Sequence, residues 1–250
     1  MMISTVSSKP YEQLSSMKKI NSAADNAASV AIVEKLNSRR NGFTTGTDNA
    51  EAGKDMYRIA EGGLASISDS LQRIRDLSIQ ASNITYGDDE KKAIQTEIDG
   101  LKATIQDAAK GTEYNTKKLL DGSMADEYLA TNPSGGGLKI QLEDSTLEEL
   151  GIADYSVLGD FDVSKIDDAI HKVSESRSSI GAEDNRISSL IQGNNYSAVN
   201  LTGSVSRIET VDIGDSIAEL KKNQILEQYR MFAMNAKNNQ AKSISALIGN

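Results

Sequence analysis

MYRIAEGGLASISDSLQRIRDLSIQASN, residues 56–83, is the stretch that decides the fold. Apolar or small residues recur in it at Met56, Ile59, Gly63, Ile67, Leu71, Ile74, Ser78 and Ala81. Steps of three and four place them on one stripe of a helix, and Asp, Arg, Gln and Ser fill the rest. A second stretch, residues 166–208, repeats the pattern at Ile180, Ile187, Ile191, Ala198, Leu201, Val205 and Ile208. A stripe of this length is not buried by a lone helix, so each needs partners along its whole length. The expected fold is therefore mainly α: an elongated antiparallel helical bundle or coiled coil.

Composition agrees. The 250 residues are 38 % hydrophobic but only 4 % aromatic, with three Phe and no Trp. Ala, Ile and Leu without aromatic bulk suit a thin bundle, in which no buried point is far from solvent. Pro10 and Pro133 lie outside the long periodic stretches, which leaves those helices uninterrupted. The net charge of −9 argues against nucleic acid, and the Lys/Arg pairs are scattered among acidic residues as solvated surface. Cysteine is absent, which excludes disulfides and thiolate metal sites. No apolar run reaches the length of a membrane span, and Met1–Lys19 has no apolar stretch of the secretory-signal kind. No membrane insertion is expected, and any export would use a route that reads no such signal.

Outward from the opening stretch, Asn41-Gly42 and Gly46 read as a helix break, with Thr47-Asp48 as the N-cap of the next helix. Tyr86-Gly87-Asp88-Asp89 reads as a turn into a second helix, whose stripe is Ile94, Ile98, Leu101, Ile105 and Ala108. That helix ends at Lys110-Gly111, and an antiparallel hairpin results. The middle differs. Asn132-Pro133-Ser134 and Gly135–Gly137 form a turn, after which Leu138, Ile140 and Leu142 alternate with Lys139 and Gln141 as in a half-buried strand. A small β-hairpin region is expected there, with Leu147 and Leu150 on a short helical turn. Residues 213–248 are helical but poorer in apolar residues.

Catalytic chemistry is weakly represented. The single histidine, His171, stands four residues before Glu175, and the expected arrangement is a surface imidazole beside that carboxylate. Gly135–Gly137 and Glu61-Gly62-Gly63 match neither a phosphate loop nor a dinucleotide fingerprint. No nucleophile and base can be paired. No enzyme, cofactor or metal is expected.

The stripe becomes specific at Leu71-Gln72-Arg73-Ile74-Arg75-Asp76-Leu77, which resembles a motif of the bacterial flagellin family. Further stretches resemble that family in the same order. They are Leu14-Ser15-Ser16 with Ile20-Asn21-Ser22-Ala23 and Asp25; Ile94-Gln95 with Glu97-Ile98; Glu113-Tyr114-Asn115; and Leu119-Leu120-Asp121-Gly122. Arg177-Ser178-Ser179-Ile180-Gly181-Ala182, Asn185-Arg186-Ile187, Arg207-Ile208 and Gln224–Gln228 complete the set. Only residues 123–165 stand outside the likeness.

The resemblance implies a structural subunit of the bacterial flagellar filament, extracellular and exported by the flagellar type III apparatus. Its terminal segments would pair as the filament core. Residues 1–27 and 208–250 would form that core, 28–122 and 166–207 a helical rod, and 123–165 a small β-rich insert in place of large outer domains. Ile67, Leu71, Ile74, Ile98, Ile187, Ile191, Leu201 and Ile208 would be the assembly and rod core. Implied partners are other subunits as a homopolymer, an export chaperone on the C-terminal helix, and the Toll-like receptor that senses flagella. By motif, Arg73, Leu77 and Glu97 would touch that receptor. Leu77 also continues the apolar stripe, where burial is the competing reading, and Arg73 has Asp69 and Asp76 at helical spacing. Leu14-Ser15-Ser16 arrives early for the family, so the distal half of the C-terminal segment is expected to lack a partner within the chain. A poorly polymerising secreted relative of flagellin and the hook–filament junction protein are the alternatives.

Overall fold

A helix begins where a side chain satisfies its first free amides, and Asn26 does this by accepting the amide of Ser29 at 3.0 Å through Oδ1. In the computed structural model, which describes residues 9–124 and 127–248, helix α2 (Ala27–Ala81) follows, 55 residues long. The other helices are α1 (Lys9–Ser16), α3 (Asp88–Gly111), α4 (Leu147–Leu150), α5 (Ser164–Glu209) and α6 (Ile213–Ile248). Two short antiparallel hairpins join them: β1 (Glu113–Tyr114) with β2 (Lys117–Lys118), and β3 (Tyr128–Ala130) with β4 (Gly137–Lys139). The chain is 72 % helical, as its periodicity requires. Expectations on residues 1–8, 125–126 and 249–250 lie outside the described residues.

The described chain divides into two compact units, one of residues 1–40 and 199–250, the other of residues 41–198. In the second, α2 and α5 run antiparallel: as residue numbers rise along α2, those of its partners fall. Lys54 meets Asp184 at 3.3 Å, Glu61 meets Arg177 at 3.1 Å, and Arg75 meets Asp167 at 2.6 Å. Tyr57, Leu64, Ile67, Leu71 and Ile74 of α2 are fully buried, together with Ile98 and Ile105 of α3 and Ile166 and Ile187 of α5. Four acceptors fasten the segment between β4 and α5 to this core. The Tyr57 hydroxyl accepts the Gln141 amide, Gln106 Oε1 the Leu147 amide, Gln95 Oε1 the Val157 amide, and Glu143 the hydroxyl of Ser176.

Two sequence expectations are corrected. Asn41-Gly42 and Gly46 do not break a helix; α2 passes through them, and Thr47 lies in its interior rather than at a cap. The glycines serve packing. A methyl carbon on Gly46 would come within 2.3 Å of the Thr131 carbonyl oxygen, and one on Gly42 within 2.7 Å of Pro133 Cβ. Gly53 and Gly63 have the same role, toward Leu129 and toward Thr112 with Leu120. The β3–β4 hairpin thus lies directly on the α2 backbone, where the Asn49 and Asn194 amides donate to the Ala130 and Thr131 carbonyls, each at 2.8 Å. The second correction is Ile59, 42 % exposed: it lies at the edge of the stripe, seven residues before Ser66 and fourteen before Arg73, while Ala60 and Leu64 line up with the buried Ile67 and Leu71.

In the unit of residues 1–40 and 199–250, the turn after α1 is closed by Asp25. Its carboxylate accepts the amides of Asn21 and Ser22, both at 3.1 Å, and pairs with Lys9 at 3.0 Å. The hydrogen bond from Lys9 is the main reason its pKa falls to about 2, the Asn21 amide being next. The chain from Met17 to Lys19 pairs with residues 209–211: the Lys19 amide donates to the Glu209 carbonyl, and the Val211 amide to that of Met17. α1 packs against α6, and Gln224 donates to the Tyr11 hydroxyl at 3.1 Å. Among the described residues of this unit, only Val33, Val205 and Val211 are buried apolar side chains.

Candidate functional site

Two surfaces stand out: one carries Arg73 and Glu97, singled out by sequence, and the other, on α6, emerges from the structure. On the first, Arg73 of α2 faces Glu97 of α3 across the helical hairpin. Its Nε and one terminal nitrogen converge on Glu97 Oε1, at 2.9 and 2.6 Å. The pairing replaces the intrahelical partners expected for Arg73, since Asp69 and Asp76 are not its ion-pair partners. Both side chains are about half exposed, Arg73 at 53 % and Glu97 at 47 %, and they are paired on the surface. Leu77, one turn along α2 from Arg73, is only 2 % exposed and belongs to the core with Ile74 and Ala81. The structure therefore brings Arg73 and Glu97 together on the surface and puts Leu77 beneath it.

Beside this pair, Arg75 Nε donates to Asp167 of α5, and the hydrogen bond to that carboxylate pushes the guanidinium pKa up. Asp162, just before α5, accepts the Ser164 amide at 2.9 Å; its hydrogen bonds with Ser164 lower its pKa and mark the helix start. His171 and Glu175 are both exposed on α5. Among the described residues, no group of three or more His, Cys, Asp or Glu is arranged to hold a metal ion. No helix among them is long and apolar enough to cross a membrane.

The second surface is α6. Ile225, Tyr229 and Phe232 form one stripe at helical spacing and are 65, 71 and 74 % exposed. Leu226, Met231 and Met234 stand on other faces, also exposed. The exposed apolar side chains of this helix, among the described residues, are thus spread over several faces and interspersed with polar ones. Of the remaining residues named as core by sequence, Ile67, Leu71, Ile74, Ile98 and Ile187 are buried, and Ile191, Leu201 and Ile208 half-buried. Sequence reasoning missed the Lys9–Asp25 closure and the β1–β2 hairpin. The latter had a signal in Asn115, which with Thr116 adopts positive φ (46° and 67°), as a two-residue hairpin turn requires.

Long antiparallel helices, two small hairpins and a last helix with exposed apolar side chains define a mainly helical protein with no catalytic constellation among the described residues. Residues 4–125 match the family model described as the bacterial flagellin N-terminal helical region, and residues 163–248 that of the bacterial flagellin C-terminal helical region. The chain is 32 % identical to the flagellin of Bacillus subtilis, over 98 % of this chain and 93 % of that one. It is also 32 % identical to the flagellar filament 33 kDa core protein of Treponema phagedenis, over 96 % and 91 %. Bacillus cereus flagellin has the same fold, with a TM-score of 0.51 at 24 % identity over 59 % of this chain and 88 % of the other. The chain belongs to the bacterial flagellin family, whose members are structural proteins and not enzymes.

Proposed function

We propose that this protein is a structural subunit of a bacterial flagellar filament. It polymerises with copies of itself through its terminal helices after export by the flagellar type III apparatus. The observation that carries the reading is the open apolar surface of α6, in a unit with only three buried apolar side chains among its described residues. A 36-residue helix with Ile225, Tyr229 and Phe232 in water is an unfinished structure. Burial of each such side chain is worth roughly 1.5–3 kcal/mol, available only from a partner. Apolar residues on several faces call for neighbours on several sides, which repeated copies supply. The same surface suits a chaperone that covers the C-terminal helix before export.

Recognition by the flagellin-sensing Toll-like receptor is proposed at Arg73 and Glu97, whose surface pairing supports a contact there. Leu77 would act from beneath, by holding α2 and α3 in register.

The test is electron microscopy of the purified protein under salting-out conditions, beside the double variant Ile225→Ser/Phe232→Ser. Both residues are exposed in the subunit, so its far-ultraviolet circular dichroism should be unchanged. Filaments from the parent and their loss in the variant are expected. Persistent monomers of the parent across concentrations, or filaments formed equally by both, would overturn the reading.

A further inference from the structure

We propose that Met231 and Met234 of α6 are a peroxide-sensitive modification site, whose conversion to sulfoxides withdraws the subunit from polymerisation. The inference rests on the filament reading above and adds a chemical control to it. Access of an oxidant to a thioether follows its exposure. Met231 and Met234 are 58 and 51 % exposed, whereas Met56 and Met124, in the core of the unit of residues 41–198, are 5 and 3 % exposed. Oxidation is thereby directed to α6 and to Met17, 61 % exposed, and away from the folded core of that unit.

Position adds the consequence. Ser216, Leu220 and Asn223 recur at helical spacing along α6 as buried or half-buried residues, and the adjacent Gln224 bonds Tyr11 of α1, which packs against α6. Continued by the same spacing, that face reaches Met231 and Met234. The two methionines extend an interface the chain already uses, on the side of α6 away from Ile225, Tyr229 and Phe232. Between residues 224 and 240 they are the apolar side chains of that face.

In the reaction the sulfur lone pair attacks one oxygen of hydrogen peroxide. The S–O bond forms as the O–O bond breaks, sulfur loses two electrons, and the departing oxygen takes up the remaining proton to leave as water. Each thioether becomes a polar acceptor that is no longer favourably buried without a donor. In the polymer the same sulfurs are covered and shielded from the oxidant. Free subunits are the vulnerable form, and incorporation protects them.

The experiment treats the full chain with hydrogen peroxide before polymerisation, in a Met17→Leu background because Met17 is also exposed, at 61 %. Residue-resolved mass spectrometry reads the sulfoxides, and sedimentation reads the critical concentration. Sulfoxide at positions 231 and 234, with a critical concentration raised about tenfold or more, is expected. The Met231→Leu/Met234→Leu variant keeps the apolar volume, cannot take up oxygen at these positions, and should polymerise alike with and without peroxide. Preformed filaments should be oxidised more slowly at both positions. Confirmed sulfoxides with unchanged polymerisation overturn the proposal and leave the filament reading standing, as does equal loss in the Leu variant. Failure of untreated protein to polymerise overturns the filament reading itself, and the proposed control with it.

Discussion

Replacing Gly46 by Ala reverses the usual sign of a glycine substitution in a helix. In a helix interior Gly→Ala stabilises by about 1 kcal/mol, because the unfolded chain loses freedom. At Gly62, with nothing within 4 Å of a new methyl group, that gain should appear in full. At Gly46 the methyl carbon falls 2.3 Å from the Thr131 carbonyl oxygen, which is backbone and does not swing aside. The β3–β4 hairpin must lift, and the 2.8 Å bonds from Asn49 and Asn194 lengthen with it. Overpacking costs about 1–3 kcal/mol and two weakened hydrogen bonds about 1 kcal/mol each. Against the helical gain, the net destabilisation is about 2–4 kcal/mol, so the two variants should differ by about 3–5 kcal/mol. Urea unfolding followed by circular dichroism reads this as midpoints moved in opposite directions, with an unchanged slope. Gly53→Ala should fall between them, since its methyl group meets only the mobile tip of Leu129. A midpoint for Gly46→Ala that rises with Gly62→Ala would refute the packing role given to the glycines.

Leu77→Ala should cost about 2–5 kcal/mol, because the side chain is 2 % exposed, and thermal unfolding checks it. Any loss of receptor signalling in that variant should track its loss of stability; full stability with lost signalling would make Leu77 a direct contact. A double-mutant cycle on Arg73 and Glu97 should give a coupling below about 1 kcal/mol that shrinks in salt, since both groups are about half exposed. Asp25 has a folded pKa of about 2 against an ordinary 3.8, so its contribution is present above about pH 4 and lost as pH falls toward 2. Lys9→Ala should move the Asp25 titration, read by NMR of its carboxyl carbon, up toward 3.8; an unmoved value would remove Lys9 as the chief cause.

The helices were legible because their stripes are long, and the errors fall where a residue answers to a distant part of the chain. Gly42 and Gly46 carry a local breaker signal, yet their reason is the hairpin more than eighty residues on, invisible to any window along α2. Ile59 is apolar and three residues from Met56, which reads as core locally, but it shares a helix edge with Ser66 and Arg73, and Ala60 and Leu64 fill the buried positions. Arg73 has carboxylates at helical spacing and still pairs with Glu97, because α3 packs alongside and offers a closer acceptor. The alternation of Leu138, Ile140 and Leu142 was readable since period two is local, and all three are buried. The Lys9–Asp25 closure had no such signal; it depends on how the chain turns between α1 and α2.

The two surfaces differ in what their sequence has to accomplish, and the contrast explains why one is backed by a packed core and the other is open. On α2 the apolar residues occupy one side, so α3 and α5 satisfy them and the polar side is left to ion pairs such as Arg73–Glu97. That side can be recognised without disturbing the core, whereas Leu77 cannot be reached without opening it. On α6 no single side is apolar, and a packed neighbour on one face would still leave Ile225, Tyr229 and Phe232, or Met231 and Met234, in water. One short helix such as α1 therefore cannot complete it. A helix of this pattern reaches a lower free energy when other helices cover its remaining faces, which is the burial that the proposed polymerisation would supply.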